Sequence, residues 1–241
     1  MRGVVLAGGK GTRLGELTKV TNKHLLPVGP WPMIYYPVRK LVGAGITDIM
    51  LVSGTEHMGG FVSLLGSGKE LGCSLTYRVQ DEAGGIAQAL DLARDFCAGV
   101  RSVVILGDNI FYDPLGKIIN LAECYSDDMA WVVLKGVDYP GRYGVAELDQ
   151  GQIVGIEEKP AQPKSEFAVT GIYIYPPDVF TVIPSLQPSA RGELEITDVN
   201  LHYLKKGQLM YTTFGDYWTD AGTPESLAEA NKLVNAQPPR F

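Results

Sequence analysis

Apolar and polar positions are grouped in regular blocks along the first half of the chain. Residues 3–7, 48–52, 74–79 and 102–106 form short strand-like runs, mostly apolar and β-branched in the first, second and fourth and alternating in 74–79. Between them, residues 33–42, 57–65 and 86–96 carry apolar positions three and four apart. In the last of these, Ile86, Ala89, Leu90, Ala93 and Phe96–Cys97 fall on one face of a 3.6-residue period. Strand, helix, strand, helix predicts a mostly parallel sheet covered on both faces. Right-handed crossovers then make it a doubly wound α/β fold, with its ligand edge beyond the carboxyl ends of the strands.

The second half is richer in strands, at residues 130–134, 144–148, 153–157, 168–175 and 209–214. Asp149-Gln150-Gly151 marks a hairpin turn between two of them. Thr223-Pro224 opens a final helix with Leu227, Ala230, Leu233 and Val234 on its inner face. Residues 237–241, with two prolines, are expected to be loose. No linker, repeat or low-complexity stretch interrupts the chain, so one domain with a strand-rich elaboration in its second half is the simplest expectation.

Composition narrows the function classes. A net charge of −6 argues against broad nucleic-acid binding but leaves room for a local cationic pocket. No apolar run approaches a membrane span, and the first residues lack a signal-peptide layout. Cys73, Cys97 and Cys124 are odd in number, far apart and without zinc spacing, which suits free thiols in a reducing cytoplasm. His57 and His202 read as isolated histidines with local hydrogen bonds.

The first strand breaks into Gly8-Gly9-Lys10-Gly11-Thr12-Arg13-Leu14. Glycines let the backbone approach a phosphate closely, and an arginine fork matches phosphate oxygens. The P-loop pattern fails because Val4 stands at its first glycine and Gly11 follows Lys10. The dinucleotide fingerprint fails at Leu14. A tight turn without chemistry is the alternative. The continuation through Thr18 and Lys23-His24-Leu25-Leu26-Pro27-Val28 favours a nucleotide loop.

Further along, Asp108 follows the strand at 102–106 through Gly107, a position from which a carboxylate could hold Mg²⁺ against phosphates. The alternative is a turn-forming Asp-Asn pair. Asp220 stands between an aromatic strand end and a helix start, and could complete the same site or merely flank the helix. Lys159, held at a strand rim by Pro160, and Lys23 are the candidate cations. Glu193 and Glu195 alternate with apolar residues and could offer carboxylates to sugar hydroxyls. Gln80, with Gly84-Gly85 nearby, could read a pyrimidine edge.

Six segments in order carry a more specific signal. They are Leu6-Ala7-Gly8-Gly9-x-Gly11-Thr12-Arg13-Leu14, Lys23-x-Leu25-Leu26-Pro27-Val28, Gly107-Asp108-Asn109, Glu158-Lys159-Pro160, Val169-Thr170-Gly171 and Gly192-Glu193-Leu194-Glu195-Ile196-Thr197-Asp198. In these the chain resembles the sugar-1-phosphate nucleotidylyltransferases, most of all those that act on dTTP and glucose 1-phosphate. The resemblance spans residues 1 to about 223. It implies a Rossmann-like nucleotidyltransferase domain over 1–241, with a nucleotide-binding half at about 1–110 and a sugar-phosphate half at about 111–236. It implies in-line attack of the sugar phosphate on the α-phosphorus, with dTDP-glucose and pyrophosphate as products, Mg²⁺ as cofactor, and a homo-oligomer, dimer or tetramer.

By the same resemblance, Leu6, Gly8, Gly9, Gly11 and Thr12 bind the nucleotide. Arg13 faces the pyrophosphate and Lys23 the α-phosphate. Asp108 and Asp220 hold Mg²⁺, and Gln80 and Gly85 recognise thymine. Lys159 grips the sugar phosphate, while Asn109, Gly144, Glu158, Val169 and Glu193 line the glucose site. The chain departs from the pattern at Gly15-Glu16-Leu17, where relatives often have proline, and at His24, where many carry glutamine. It ends soon after the helix at Thr223, where longer relatives add a helical segment that helps form a regulatory nucleotide site, so neither feedback of that kind nor the oligomer contacts of that segment carry over through the resemblance. Alternatives are another nucleotide such as UTP, another sugar 1-phosphate, or a non-catalytic nucleotide sensor of the same fold. An NAD-dependent oxidoreductase already fails at Leu14.

Overall fold

A computed structural model describes residues 1–9 and 11–241. Lys10, the cation of the glycine loop, lies outside the described residues. The first half contributes β1 (Arg2–Leu6), a small hairpin of β2 (Pro27–Val28) and β3 (Trp31–Pro32), α1 (Tyr35–Gly43), β4 (Asp48–Gly54), α2 (Met58–Leu65), β5 (Ser74–Gln80), α3 (Ile86–Asp91) and β6 (Ser102–Leu106). β1 pairs in parallel with β4 and β6, and β4 with β5, giving the order β5-β4-β1-β6. This is the doubly wound arrangement expected from the alternation of strands and helices.

Helix α3 is shorter than its apolar period. Beyond Asp91 the chain continues in tighter turns, with Ala93 N–H on the Leu90 carbonyl and Arg94 N–H on the Asp91 carbonyl. The apolar face of 86–97 stays inside even so, with Ala93 and Cys97 fully buried.

The second half contributes β7 (Asn109–Phe111), α4 (Leu115–Glu123), β8 (Ala130–Gly136), β9 (Gly144–Asp149), β10 (Gln152–Glu158), β11 (Phe167–Tyr175), α5 (Val179–Val182), α6 (Ile196–Lys205), β12 (Leu209–Thr213), β13 (Trp218–Asp220) and α7 (Pro224–Ala236). β11 is antiparallel to its neighbours and forks. Its start pairs with β9 and its end with β6, while β8 runs along its other side with a register shift between Val169 and Tyr173. β12 is parallel to β8, so β11 is the antiparallel exception between parallel strands, and β9–β10 is a hairpin added at the fork. Gln150 and Gly151 both take positive φ in that hairpin, as a two-residue type I′ turn requires.

Alternation along β1 sends Val4 and Leu6 into the core beneath α3, α5 and α6, and Val5 and Ala7 into the core beneath α1, α2 and α4. A third, smaller cluster of Val28, Met33, Tyr36, Ile110, Ala221, Ala230 and Val234 ties the β2–β3 hairpin and the β7–β13 pair to α7. Thr223 and Ser226 cap α7 reciprocally.

The expected looseness of residues 237–241 is wrong. Arg240 N–H donates to the Tyr112 carbonyl, and the Arg240 carbonyl accepts from the buried Lys40 ammonium, which also reaches the Tyr112 and Asp113 carbonyls. Phe241 packs near Trp31 and Tyr36. The prolines suggest an unstructured end, but partners from α1 and from the segment after β7, invisible in the local sequence, hold it down. Among the described residues no helix is long and apolar enough to cross a membrane, and all three cysteines are unpaired.

Candidate active site

The carboxyl ends of β1 and β6 lie side by side, and the site is built on them. The Ala7 carbonyl, where β1 gives way to the glycine loop, accepts from the Ser53 hydroxyl and the Asn22 amide. Gly107 N–H donates to the Leu6 carbonyl at 2.8 Å, which sets the turn after β6 beside that loop. Gly107 packs directly on the His24 ring. A Cβ at that position would come within 2.7 Å of His24 Cδ2, so this turn requires glycine. The Asn22 side chain accepts from His24 N–H and meets His24 Nδ1 at 2.6 Å, fixing the turn that presents Lys23.

A cleft of about 740 Å³ opens over these strand ends. Leu6, Gly8, Gly9, Thr12, Arg13, Lys23, Gln80, Gly85, Asp108, Asn109, Gly144, Glu158, Lys159, Val169, Glu193 and Asp220 all line it. Of the residues expected at the site, Gly11 does not line it. It caps the turn beginning at Thr12 in a left-handed conformation (φ 65°) and packs against Thr18 and Lys23.

Lys23 Nζ lies 2.5 Å from Asp108 Oδ2, and the Asn109 amide donates to Asp108 Oδ1 at 3.0 Å. Burial alone would raise the Asp108 carboxyl. The Lys23 ammonium, then His24 and the hydrogen bonds from Lys23 and Asn109, outweigh it and hold the group ionised, well below the usual carboxylate range. His24 moves the other way. Complete burial, then the Lys23 charge, lower it to about 3 against an opposing pull from Asp108, so the ring is neutral at ordinary pH.

Asp220 reaches the same place from the far end of the chain. β13 pairs with β7 so that Asp220 stands opposite Asn109, and Ala221 N–H donates to the Asp108 carbonyl at 2.9 Å. Asp220 Oδ1 accepts from the Tyr143 hydroxyl at 2.9 Å and lies 3.5 Å from the Arg142 guanidinium. Its carboxyl is raised, by burial first and by the neighbouring Asp108 second, against weaker pulls from Tyr143, Arg142 and Arg13.

The remaining wall comes from the fork in β11. Where β9 leaves off and β6 takes over, Gly171 N–H donates to Asn109 Oδ1, which also accepts from the Trp218 indole at 2.7 Å. Glu158 accepts from the Thr197 hydroxyl at 2.6 Å and lies within 3.5 Å of Arg191. Lys159 takes a positive φ (45°), a strained conformation for a non-glycine residue. Its N–H is tied to the Tyr143 carbonyl at 2.9 Å, and its ammonium lies 3.3 Å from Glu158. Glu195, expected beside Glu193, is not part of the cleft lining. The Arg191 guanidinium donates to both Glu195 oxygens at 2.8 Å and the Ser189 hydroxyl donates to Oε1, so Glu195 anchors the loop instead.

Sequence reasoning gave no site role to His24, named only as a departure from the pattern, or to Arg142, Tyr143, Gly171, Arg191, Thr197 and Trp218, all of which line the cleft. Thr197 and Gly171 lay inside motifs already noticed. Arg142-Tyr143 carries no local signal beyond the preceding Pro140-Gly141 turn.

Asp108 and Asp220 suit a divalent cation. They are two largely buried hard-oxygen donors in neighbouring positions, and their mutual repulsion raises Asp220. Among the described residues no cluster of three or more metal-ligating side chains occurs. The pair matches the coordination style of Mg²⁺, which takes one or two carboxylates and completes its shell with water and substrate phosphate.

Residues 2–237 match the nucleotidyl transferase family. The chain belongs to that family. The transferase is 44% identical over 237 residues to a glucose-1-phosphate thymidylyltransferase of Xanthomonas campestris, covering 97% of this chain and 80% of the relative. It is 43% identical over 238 residues to the glucose-1-phosphate thymidylyltransferase of Mycolicibacterium smegmatis, covering 97% and 82%. Among solved structures, it superposes with a TM-score of 0.95 on a Bacillus anthracis protein assigned as a glucose-1-phosphate thymidylyltransferase and crystallised with sucrose. That protein is 56% identical, with 100% of this chain and 97% of the other covered. A UDP-glucose pyrophosphorylase in complex with UDP-glucose follows at TM-score 0.85 and 26% identity, covering 98% of each chain.

Proposed function

We propose that this transferase joins dTTP and α-D-glucose 1-phosphate into dTDP-glucose with release of pyrophosphate, as a glucose-1-phosphate thymidylyltransferase. A phosphate oxygen of the sugar phosphate attacks the α-phosphorus in line. The bond to the β-phosphate breaks, and pyrophosphate leaves with the electron pair. The observation that carries this reading is the convergence in one cleft of Arg13, Lys23, Asp108, Lys159 and Asp220, drawn from distant segments. The similarity to thymidylyltransferases over 97% of the chain supports it.

The main chain of Gly8 and Gly9 and the Thr12 hydroxyl face the triphosphate, with Gly11 shaping their turn and Leu6 beneath the nucleoside. Arg13 steadies the pyrophosphate and Lys23 the charge at the α-phosphate, in a walled site where such cations act strongly. Gln80 donates its amide to Gln88 at 2.7 Å, which leaves its carbonyl oxygen to accept the thymine N–H beside Gly85. Asn109, Gly144, Glu158, Val169 and Glu193 receive glucose, and Lys159 its phosphate. Asp108 and Asp220 would hold Mg²⁺, which neutralises phosphate charge when bound.

We further propose that 1–241 works as one domain, residues 1–110 serving mainly the nucleotide and 111–236 the sugar phosphate. Assembly as a dimer or tetramer and operation in the cytoplasm, in keeping with three unpaired cysteines, complete the reading. A pyrophosphate-release assay across dTTP, UTP, CTP and ATP, several sugar 1-phosphates and with or without Mg²⁺ tests it. The expected result is Mg²⁺-dependent release, fastest with dTTP and glucose 1-phosphate, and about tenfold or more slower with UTP, the worth of one methyl group. Binding of dTTP without release under all conditions would instead mark a nucleotide sensor.

A further inference from the structure

The two carboxylates proposed for the cation are each already engaged by a basic side chain. Asp108 is paired with Lys23, and Asp220 lies 3.5 Å from Arg142. These two pairings differ in kind. Lys23 is almost wholly buried and its turn is fixed by Asn22, so it cannot travel far. Arg142 ends a short turn, Pro140–Arg142, between β8 and β9, and its side chain is 42% exposed. Its guanidinium lies 5.4 Å from the Tyr143 ring centre. Asp220 has a second, fixed donor in the Tyr143 hydroxyl, so it loses little order if Arg142 departs. Tyr143 in turn ties Arg142 to Lys159, because its carbonyl accepts the Lys159 N–H.

Resting on the function proposed above, we infer that Arg142 is a mobile placeholder that occupies Asp220 in the substrate-free protein and moves to the sugar phosphate, alongside Lys159, when Asp220 takes up the divalent cation. A guanidinium and a divalent cation compete for one carboxylate, and like charge drives them apart. An incoming phosphate offers the displaced fork two oxygens in matching geometry. The exchange keeps the carboxylate pair compensated before substrate arrives and adds a cation at the reacting phosphate only once the metal site is filled. Arg142 is thereby a catalytic residue, whereas Tyr143 positions the carboxylate.

The test uses Mn²⁺ alone as probe on the full-length, substrate-free protein, with free Mn²⁺ read by electron paramagnetic resonance. It compares wild type, Arg142→Met, Arg142→Lys and Asp220→Asn, and adds steady-state kinetics. Removing a half-exposed competitor should tighten Mn²⁺ binding about two- to fivefold in Arg142→Met, and Asp220→Asn should weaken it. In the same Arg142→Met protein the KM for glucose 1-phosphate should rise and kcat fall, by about a hundredfold in kcat/KM, while the KM for dTTP stays within about twofold. Arg142→Lys should recover part of kcat. If Arg142→Met proves unstable, Arg142→Gln, which also removes the charge, takes its place with the same expected outcomes. Unchanged or weaker Mn²⁺ binding without Arg142 overturns the placeholder role, and an unchanged KM for glucose 1-phosphate overturns the phosphate role. A wild-type protein that releases no pyrophosphate sinks the functional reading and the phosphate role with it, while the Mn²⁺ comparison still decides the placeholder.

Discussion

Asp108 and Asp220 face the same cleft yet are held in opposite ways. Asp108 ends a turn directly after a central parallel strand, sealed by Gly107 against His24 and paired with a buried lysine, so its charge is strongly favoured. Asp220 sits on a three-residue strand paired with another three-residue strand, and burial beside Asp108 disfavours its charge. One carboxylate is a fixed anchor and the other is adjustable. On the function proposed above, a site that admits and releases a divalent cation has use for both, because the anchor keeps its charge throughout while the second carboxylate is relieved of its unfavourable charge when the cation arrives.

Neutralising each in turn should break that comparison most sharply. Asp108→Asn is expected to lose turnover by about a thousandfold or more and to lower stability by about 3–5 kcal/mol, since Lys23 is left buried without its partner. Asp220→Asn should be as inactive but within about 1 kcal/mol of wild-type stability. Urea unfolding and pyrophosphate release measure both, and equal destabilisation of the two variants would remove the distinction.

The anchored side should also carry a pH signature through His24. Its folded value of about 3 lies below the ordinary 6.5, so between these limits the unfolded chain binds the extra proton and acid favours unfolding. From pH 7 to pH 5 this contributes a loss of about 2 kcal/mol. Urea titrations at the two pH values, compared with His24→Gln, isolate it, because the variant should lack that part of the slope. Thr197→Val removes the 2.6 Å hydrogen bond to Glu158 on the side of the cleft proposed for glucose. It should raise the KM for glucose 1-phosphate about tenfold and leave the KM for dTTP unchanged. The smallest expected effect is local. Thr223→Ala breaks the capping box of α7 and should cost about 1 kcal/mol of thermal stability without altering either KM.

The two sides of the cleft differed equally in how far the chain alone revealed them. Gly8, Gly9, Arg13 and Asp108 follow β1 and β6, parallel strands whose apolar runs are continuous, and Gln80 ends the alternating parallel strand β5, so strand, turn and site lie within a few residues of one another. On the other side Glu158 and Val169 were noticed through motifs, but Thr197 and Arg191 meet Glu158 only once α6 and the loop before it pack on β10, and Trp218 meets Asn109 only through a pairing of residues more than a hundred positions apart. Hydrophobic period carries no record of such pairings, because β7 and β13 are too short to show one. Glu195 illustrates the same limit. Alternation placed it with Glu193, and Arg191 withdrew it from the cleft.

What the amino-acid sequence determined by itself was the alternation of strand and helix, the glycine turn, the hairpin at Gln150-Gly151 and the cap at Thr223, since each depends on neighbours within one turn or one strand. The tertiary structure alone decided that the 237–241 segment docks on Lys40, that His24 is neutral, that Lys159 is held in a strained conformation, and that Arg142 lies on Asp220. Burial and charge are fixed by groups brought together from the whole chain, and only the folded arrangement sets those distances.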